Sequence, residues 1–318
     1  EQDGVTAAPA APLYNDACFV TPEPTAETLD ATGDRKIYVY TKDVAENVSA
    51  VAGTATINYS TLGPADPTLA LSDATTSSTT HVRQVATAVA IGNDATATKW
   101  CVSSDQSAKP ALGTSTCTNG DGPSDGWYTT EPTSYDVDTG DAAKTVYVWI
   151  ADAANNVNTG PVSASITLDE TLPADVTVAM TDPNTSSATN TNQATVDLAI
   201  TADTDAVEWC VIEQDGVTAA PAAPLYNDAC FVSPEPTSET LDATGDRKVY
   251  VYTKDVAENI SAVAGTATIN YDNTPLADPT LALSDATTSS GTHIRQVATA
   301  VAIGNDTDAV KWCVSSTQ

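Results

Sequence analysis

Six cysteines, Cys18, Cys101, Cys117, Cys210, Cys230 and Cys313, offer the sharpest chemistry in this chain. Thiolates bind soft metals or oxidise to disulfides. A zinc site wants Cys-x-x-Cys spacing or histidine partners. The chain has no such spacing and only two histidines, His81 and His293, so zinc is set aside. The second resource is oxygen: 42 Asp and Glu residues against 12 Lys and Arg give a net charge of −30. Carboxylates hold hard cations such as calcium, or simply solvate a surface. Catalytic sets are missing. No Ser/His/Asp or Cys/His group recurs, no phosphate-binding glycine loop is present, and paired acids arise by chance in so acidic a chain. The expectation is a non-catalytic protein.

The charge also excludes partners. A polyanion is repelled by nucleic acid and by anionic membrane. No run approaches the roughly 18 apolar residues of a membrane helix, so no membrane insertion is expected in this segment. Hydrophobic residues make up 41 % of the chain but aromatics only 6 %, which implies small Ala/Val cores. The chain starts at Glu1 and its one Met is Met180. Either a leader was removed or these residues lie inside a longer polypeptide.

Internal repetition sets the architecture. Residues 1–59 recur as 213–271 with four changes: Thr21 to Ser233, Ala26 to Ser238, Ile37 to Val249 and Val48 to Ile260. Residues 66–104 recur as 278–316 at the same offset of 212. A weaker half-period lies inside. Trp100, Trp209 and Trp312 each open a Trp-Cys-Val motif, 109 and 103 residues apart. Tyr38, Tyr147 and Tyr250 keep those spacings, as do Asp66, Asp175 and Asp278. The unit is therefore about 106 residues in two alternating versions.

Each unit reads as all-β. In 60–168 the alternation predicts strands at 68–72, 84–91, 98–103, 134–137, 144–151 and 162–168. The strongest is KTVYVWIA (144–151), with period-2 alternation of β-branched and aromatic residues. About seven short strands separated by Gly, Asn, Asp and Pro indicate a sandwich, and no segment shows a helical period.

These motifs resemble the bacterial immunoglobulin-like tandem repeats of large surface proteins and adhesins. In that family the penultimate strand runs into an Asp-Ala-x-x-Asn hairpin turn. Here it reads YVYTKDVAENVS (38–49), YVWIADAANNVN (147–158) and YVYTKDVAENIS (250–261). The family often joins domains with Asp-x-Thr-x-Pro. Asp272-Asn273-Thr274-Pro275 is close, Asp169 to Pro173 is a stretched version, and Ser60-Thr61-Leu62-Gly63-Pro64 has lost the acid. The resemblance covers essentially the whole chain. It implies tandem immunoglobulin-like β-sandwiches: two complete domains, 60–168 and 169–271, flanked by two half-domains, 1–59 and 272–318.

The repeat also assigns the cysteines. A Trp-Cys-Val strand is followed by a polar, Pro-rich loop and a second Cys, giving Cys101–Cys117 and Cys210–Cys230. Each bridge would contribute roughly 3 kcal/mol in the chain-entropy model and implies an oxidising, extracellular or cell-surface location. Cys18 and Cys313 are left over and are expected to pair with adjoining segments. Two arrangements supply such partners: a longer array of the same repeats, or neighbouring chains that complete one another's half-domains. Both make the chain its own partner, head to tail along a fibre, with lateral packing of such fibres a further expectation.

Four further expectations attach to particular residues. Calcium at the junctions would be held by Asp169, Glu170 and Asp175, and by Asp272 and Asp278; the alternative is a locally capped turn. Asp43, Asp152 and Asp255, with Asn47, Asn156 and Asn259, mark the hairpin turn, where both residue types tolerate left-handed backbone. Trp100, Trp209 and Trp312 are expected to pack against disulfide or core, with sugar binding as the alternative. Five triplets fit the N-glycosylation pattern, at Asn47, Asn58, Asn184, Asn259 and Asn305, and the runs 75–80 and 287–292 suit O-linked sugar. The functional expectation is a structural repeat segment of an extracellular filament. The alternative is the spacer stalk of a large adhesin whose binding tip lies outside the segment.

Overall fold

A computed structural model describes residues 2–4, 8–111, 116–118, 126–293, 297 and 299–315. The chain divides into two units, Glu1–Thr171 with Val256–Asn259, and Leu172–Asp255 with Ile260–Gln318. Both are all-β.

The first unit opens with β1 (Gln2–Asp3), β2 (Gly33–Val39) and β3 (Gly53–Tyr59), an antiparallel sheet in the order β1-β2-β3. Seven strands follow: β4 (Thr68–Asp73), β5 (His81–Val82), β6 (Ala86–Gly92), β7 (Lys99–Ser103), β8 (Ser134–Asp136), β9 (Ala142–Ala151) and β10 (Val162–Leu168). They form two sheets, β4-β6-β8 and β5-β10-β9-β7. Their inner faces enclose one core. Leu71 of β4, Val89 and Ile91 of β6 and Tyr135 of β8 meet Val102 of β7, Val146, Val148 and Ile150 of β9, and Ile166 and Leu168 of β10. This is an immunoglobulin-like sandwich built from period-2 alternation.

The second unit repeats the plan with eight strands: β11 (Thr177–Thr181), β12 (Asn190–Thr191), β13 (Thr195–Thr201), β14 (Glu208–Asp215), β15 (Phe231–Val232), β16 (Ser238–Thr240), β17 (Gly245–Lys254) and β18 (Gly265–Tyr271). The sheets are β11-β13-β16 and β12-β18-β17-β14-β15. Strand β14 outruns its counterpart β7: Glu213, Gln214 and Asp215 keep pairing with β17, whereas β7 ends at Ser103, the counterpart of Ile212. At its end Glu213 meets Arg247, which also meets Asp242. A hairpin, β19 (Thr280–Asp285) and β20 (Thr299–Gly304), closes the described chain.

Strand β5 has no counterpart among the expected strands. It is two residues long and runs parallel to β10, pairing His81 with Thr167 and Val82 with Leu168. β12 and β18 repeat it, with Asn190 on Asn270 and Thr191 on Tyr271. Two residues cannot display an alternation, so the pattern missed it.

The turn before β5 is built on one carboxylate. Asp73 is buried, and its Oδ1 accepts the backbone N–H groups of Thr75 and Thr76, both at 2.7 Å. Asp182 and Asp285 hold the equivalent turns through Asn184 and Thr185, and through Thr287 and Thr288. Ser77, Ser186 and Ser289 take the left-handed conformation there, with φ of 62°, 56° and 58°. Thr191 Oγ1 also donates to Asp182 Oδ2 at 2.5 Å. That bond, together with the backbone N–H groups of Thr185 and Asn184, outweighs burial and lowers the Asp182 pKa to about 2.

Candidate functional site: disulfide loops, junctions and bare faces

Neighbouring residues of a strand face opposite sides of the sheet, so the Trp-Cys pairs split. Trp100 and Trp209 turn inward onto the cores, and their indole N–H groups donate to Asp94 and Asp203 at 2.7 and 3.0 Å. The cysteines turn outward. Cys101 is bonded to Cys117, and Cys210 to Cys230. The first bridge lies under Trp127 and Trp149, and Trp149 is the cross-strand neighbour of Cys101. In the second unit Tyr250 and Tyr252 flank Cys210, with Tyr252 opposite it. The tryptophan of the Trp-Cys motif is thus a core residue, and a different aromatic covers the sulfur. Trp149 is fully buried and donates to the carbonyl of Gln106 at 2.8 Å. Cys18 and Cys313 are free and exposed.

The hairpin turns use the Asp and Asn side chains to close the loop, but not at the left-handed position. Asp152 Oδ1 accepts the N–H groups of Ala154 and Asn156 at 2.9 and 2.8 Å, and Asp43 does the same with Ala45 and Asn47. The left-handed residue is the one before the asparagine: Glu46, Asn155 and Glu258, with φ of 67°, 62° and 67°. A position that holds Glu twice carries no compositional sign of positive φ.

The asparagine of the turn reaches further. Asn156 Nδ2 donates to the carbonyl of Ser60 at 3.0 Å, fastening the incoming linker to the hairpin. Asp66 then caps the far side of that hairpin. Its Oδ1 accepts Asn158 Nδ2 at 3.1 Å, Thr159 N at 3.1 Å and Gly160 N at 3.2 Å. The Asn158 amide, then the Gly160 N–H, hold the Asp66 carboxyl below its ordinary pKa. Gly63 belongs to the same fit: a Cβ there would sit 2.3 Å from the carbonyl oxygen of Val157. The pattern recurs at the next linker. Asn259 Nδ2 donates to the carbonyls of Asp169 and Thr171 at 2.8 and 3.2 Å. In the second unit Asp175 Oδ1 accepts Val263 N at 3.0 Å.

The residues expected to hold calcium are placed as follows. Asp169 Oδ1 accepts Thr171 N at 3.2 Å, and Glu170 Oε2 accepts Gly140 N at 3.4 Å. Asp272 Oδ1 accepts Thr274 N at 2.9 Å, a bond that lowers the Asp272 pKa. Asp278 receives the Asn305 amide on its backbone carbonyl at 2.7 Å. Among the described residues no three His, Cys, Asp or Glu side chains come together as a group fit for a metal ion. Sequence reasoning missed Asp141, which accepts the Glu170 N–H at 2.7 Å and the Thr171 hydroxyl. The Thr171 hydroxyl, then that N–H, lower its pKa.

The repeat supplies an internal control for exposure, because the same residue stands at equivalent positions of two copies that are covered differently. Ile57 is 56 % exposed while Ile269 is 1 % exposed. Val39 is 53 % exposed and Val251 is 0 % exposed. At the other end Leu283 is 48 % exposed and its counterpart Leu71 is 5 % exposed. Trp312 is exposed, with its indole held by Asp306 at 2.7 Å. A cavity of about 340 Å³ lies beside it, lined by Leu276, Pro279, Leu281, Ile303 and Cys313.

These sheets, cores and repeated turns define a chain of immunoglobulin-like β-sandwich modules in tandem. No family model matches the sequence. No curated protein matches it either. Among solved structures the chain is similar to fibronectin(III)-like modules of Clostridium thermocellum CbhA, at 10 % identity and a TM-score of 0.34, over 61 % of this chain and 88 % of that one. It is also similar to a tetra-tandem repeat from the extending region of a large adhesion protein, at 18 % identity and a TM-score of 0.22. That match covers 80 % of this chain and 59 % of the other.

Proposed function

We propose that this chain is a non-catalytic structural segment of an extracellular filament, in which sandwich modules follow one another head to tail. The observation that carries the reading is the bare apolar face on each half-domain. Each of Ile57, Val39 and Leu283 has an identical counterpart that is buried in a complete module. Covering one such side chain is worth roughly 1.5–3 kcal/mol. A complementary half, on the same polypeptide or on a neighbouring chain, would cover these faces and would bring a cysteine to Cys18 and to Cys313. The two disulfides support an oxidising location.

Electron microscopy of the native material tests the proposal. Long uniform fibres are the expected result. A rod anchored to cells and ending in a distinct tip would favour an adhesin stalk instead. Dispersed single particles with Cys18 and Cys313 still reduced would sink both.

A further inference from the structure

Five triplets match the acceptor pattern for N-linked sugar, and the structure separates one from the other four. Transfer to asparagine needs its side-chain amide and the hydroxyl two residues later, both presented on an accessible loop. Asn259 fails on both groups. Its amide is spent on two carbonyls, it is buried, and Ser261 is buried with its Oγ accepting the Thr253 N–H at 3.1 Å. Asn47 is its counterpart, with the amide on Asp43 Oδ2 at 2.9 Å and Ser49 Oγ accepting Thr41 N at 3.1 Å. Asn58 sits in β3 with its amide on Asp34 at 2.8 Å, as Asn270 does on Asp246. Asn305 gives its amide to the carbonyl of Asp278 at 2.7 Å.

Asn184 differs. It is exposed on the loop between β11 and β12, as are Thr185 and Ser186. Its backbone N–H is fixed by Asp182 at 2.9 Å, and Ser186 N donates to the Asp182 carbonyl at 2.8 Å. The Asp182 side chain and carbonyl thus hold the turn, while Asn184 and Ser186 stay exposed. The equivalent turns after Asp73 and Asp285 have no asparagine, reading Ala74-Thr75-Thr76 and Ala286-Thr287-Thr288.

We infer that Asn184 is an N-glycosylation site. The donor is a lipid-linked oligosaccharide activated as its pyrophosphate. Asn184 Nδ2 bonds to the anomeric carbon, the bond from that carbon to the pyrophosphate oxygen breaks, the amide loses one proton, and the lipid pyrophosphate leaves. No electron is exchanged. The inference rests on the extracellular reading, because the transfer occurs outside the cytosol.

Peptide mapping by mass spectrometry of the protein from its native source tests it, with free thiols alkylated before reduction. The expected result is sugar mass on the peptide holding Asn184 and none on those holding Asn47, Asn58, Asn259 and Asn305. An unmodified Asn184 peptide overturns the inference, and the state of the cysteines then says whether more falls with it. With Cys101–Cys117 and Cys210–Cys230 bonded, the glycan alone is refuted; with free thiols, the extracellular reading goes too. A second measurement separates display from structure. Asn184→Gln should melt at the parent temperature while Asn259→Gln melts lower. An equal drop for both would make the Asn184 amide a structural group and overturn the assignment.

Discussion

The side-chain amide of Asn156 donates to the carbonyl oxygen of Ser60 at 3.0 Å, joining a hairpin turn to the linker that enters the same module. Asn259 does the same job for the carbonyls of Asp169 and Thr171. Both amides are buried, so removing them leaves carbonyls short of a donor. Asn156→Ala and Asn259→Ala should each cost about 1–3 kcal/mol, read as a lower midpoint in thermal or urea unfolding. Asn47→Ala, whose amide meets only the exposed Asp43, should cost less than either.

Acid should weaken the modules in a defined window. Asp182 has a folded pKa of about 2, below the ordinary value of 3.8, so the unfolded chain binds its proton first as pH falls. The contribution of Asp182 is therefore complete above about pH 4 and lost as pH drops towards 2. Asp66 and Asp73 are shifted in the same direction and add to the loss. Urea midpoints measured at pH 5, 3 and 2 should fall steeply. Asp182→Asn should flatten that fall while lowering stability at neutral pH.

Removing a bridge should be costly without erasing the core, because the sulfurs lie outside it. Cys101→Ser with Cys117→Ser should destabilise the first complete module by about 3 kcal/mol. Near-ultraviolet circular dichroism should register the change through Trp149 and Trp127, which cover the bridge.

Identical substitutions should behave differently in the two contexts of the repeat. Ile269→Asp puts a charge into a closed core and should unfold its module. Ile57→Asp changes an exposed side chain and should leave the melting of this chain nearly unchanged; under the filament proposal it should also prevent head-to-tail association in sedimentation experiments. Loss of folding in both would show that the 1–59 face is already covered within one chain.

Chelation should leave the melting temperature unchanged. The junction acids already accept N–H groups, as at Asp169, Asp175 and Asp272. A melting temperature that falls in chelator and recovers with calcium would make those residues cation ligands.

The sandwich was legible because its long strands alternate and because the repeat shows each motif more than once. KTVYVWIA lies within β9, and the strand expected at 162–168 is β10 residue for residue. The short parallel strand at His81–Val82 was not legible, since two residues have no period. Nor was the split of the Trp-Cys motif, although alternation contains it: adjacent residues cannot both face the core. The partners of Asn156 and Asp66 were hidden for another reason. Ser60 and Asn158 are more than ninety residues from them, and nothing in local composition encodes that distance. Exposure at Ile57 and Leu283 depends on which strands pack beside them, which no window of residues can display.

The parallel pairing of β5 with β10 has a mechanical consequence. The short segment that follows the first strand of the sandwich and the strand leaving it lie side by side, bonded from Thr167 N to Thr80 O at 3.0 Å and from Asp169 N to Val82 O at 2.9 Å. Tension applied at the two ends of the module pulls these neighbours in opposite directions along their length. Their hydrogen bonds are then sheared together instead of being unzipped one at a time. Asn270 N to Thr189 O and Asp272 N to Thr191 O repeat the arrangement at 3.0 and 2.9 Å, so each complete module meets a stretching force with the same small clamp.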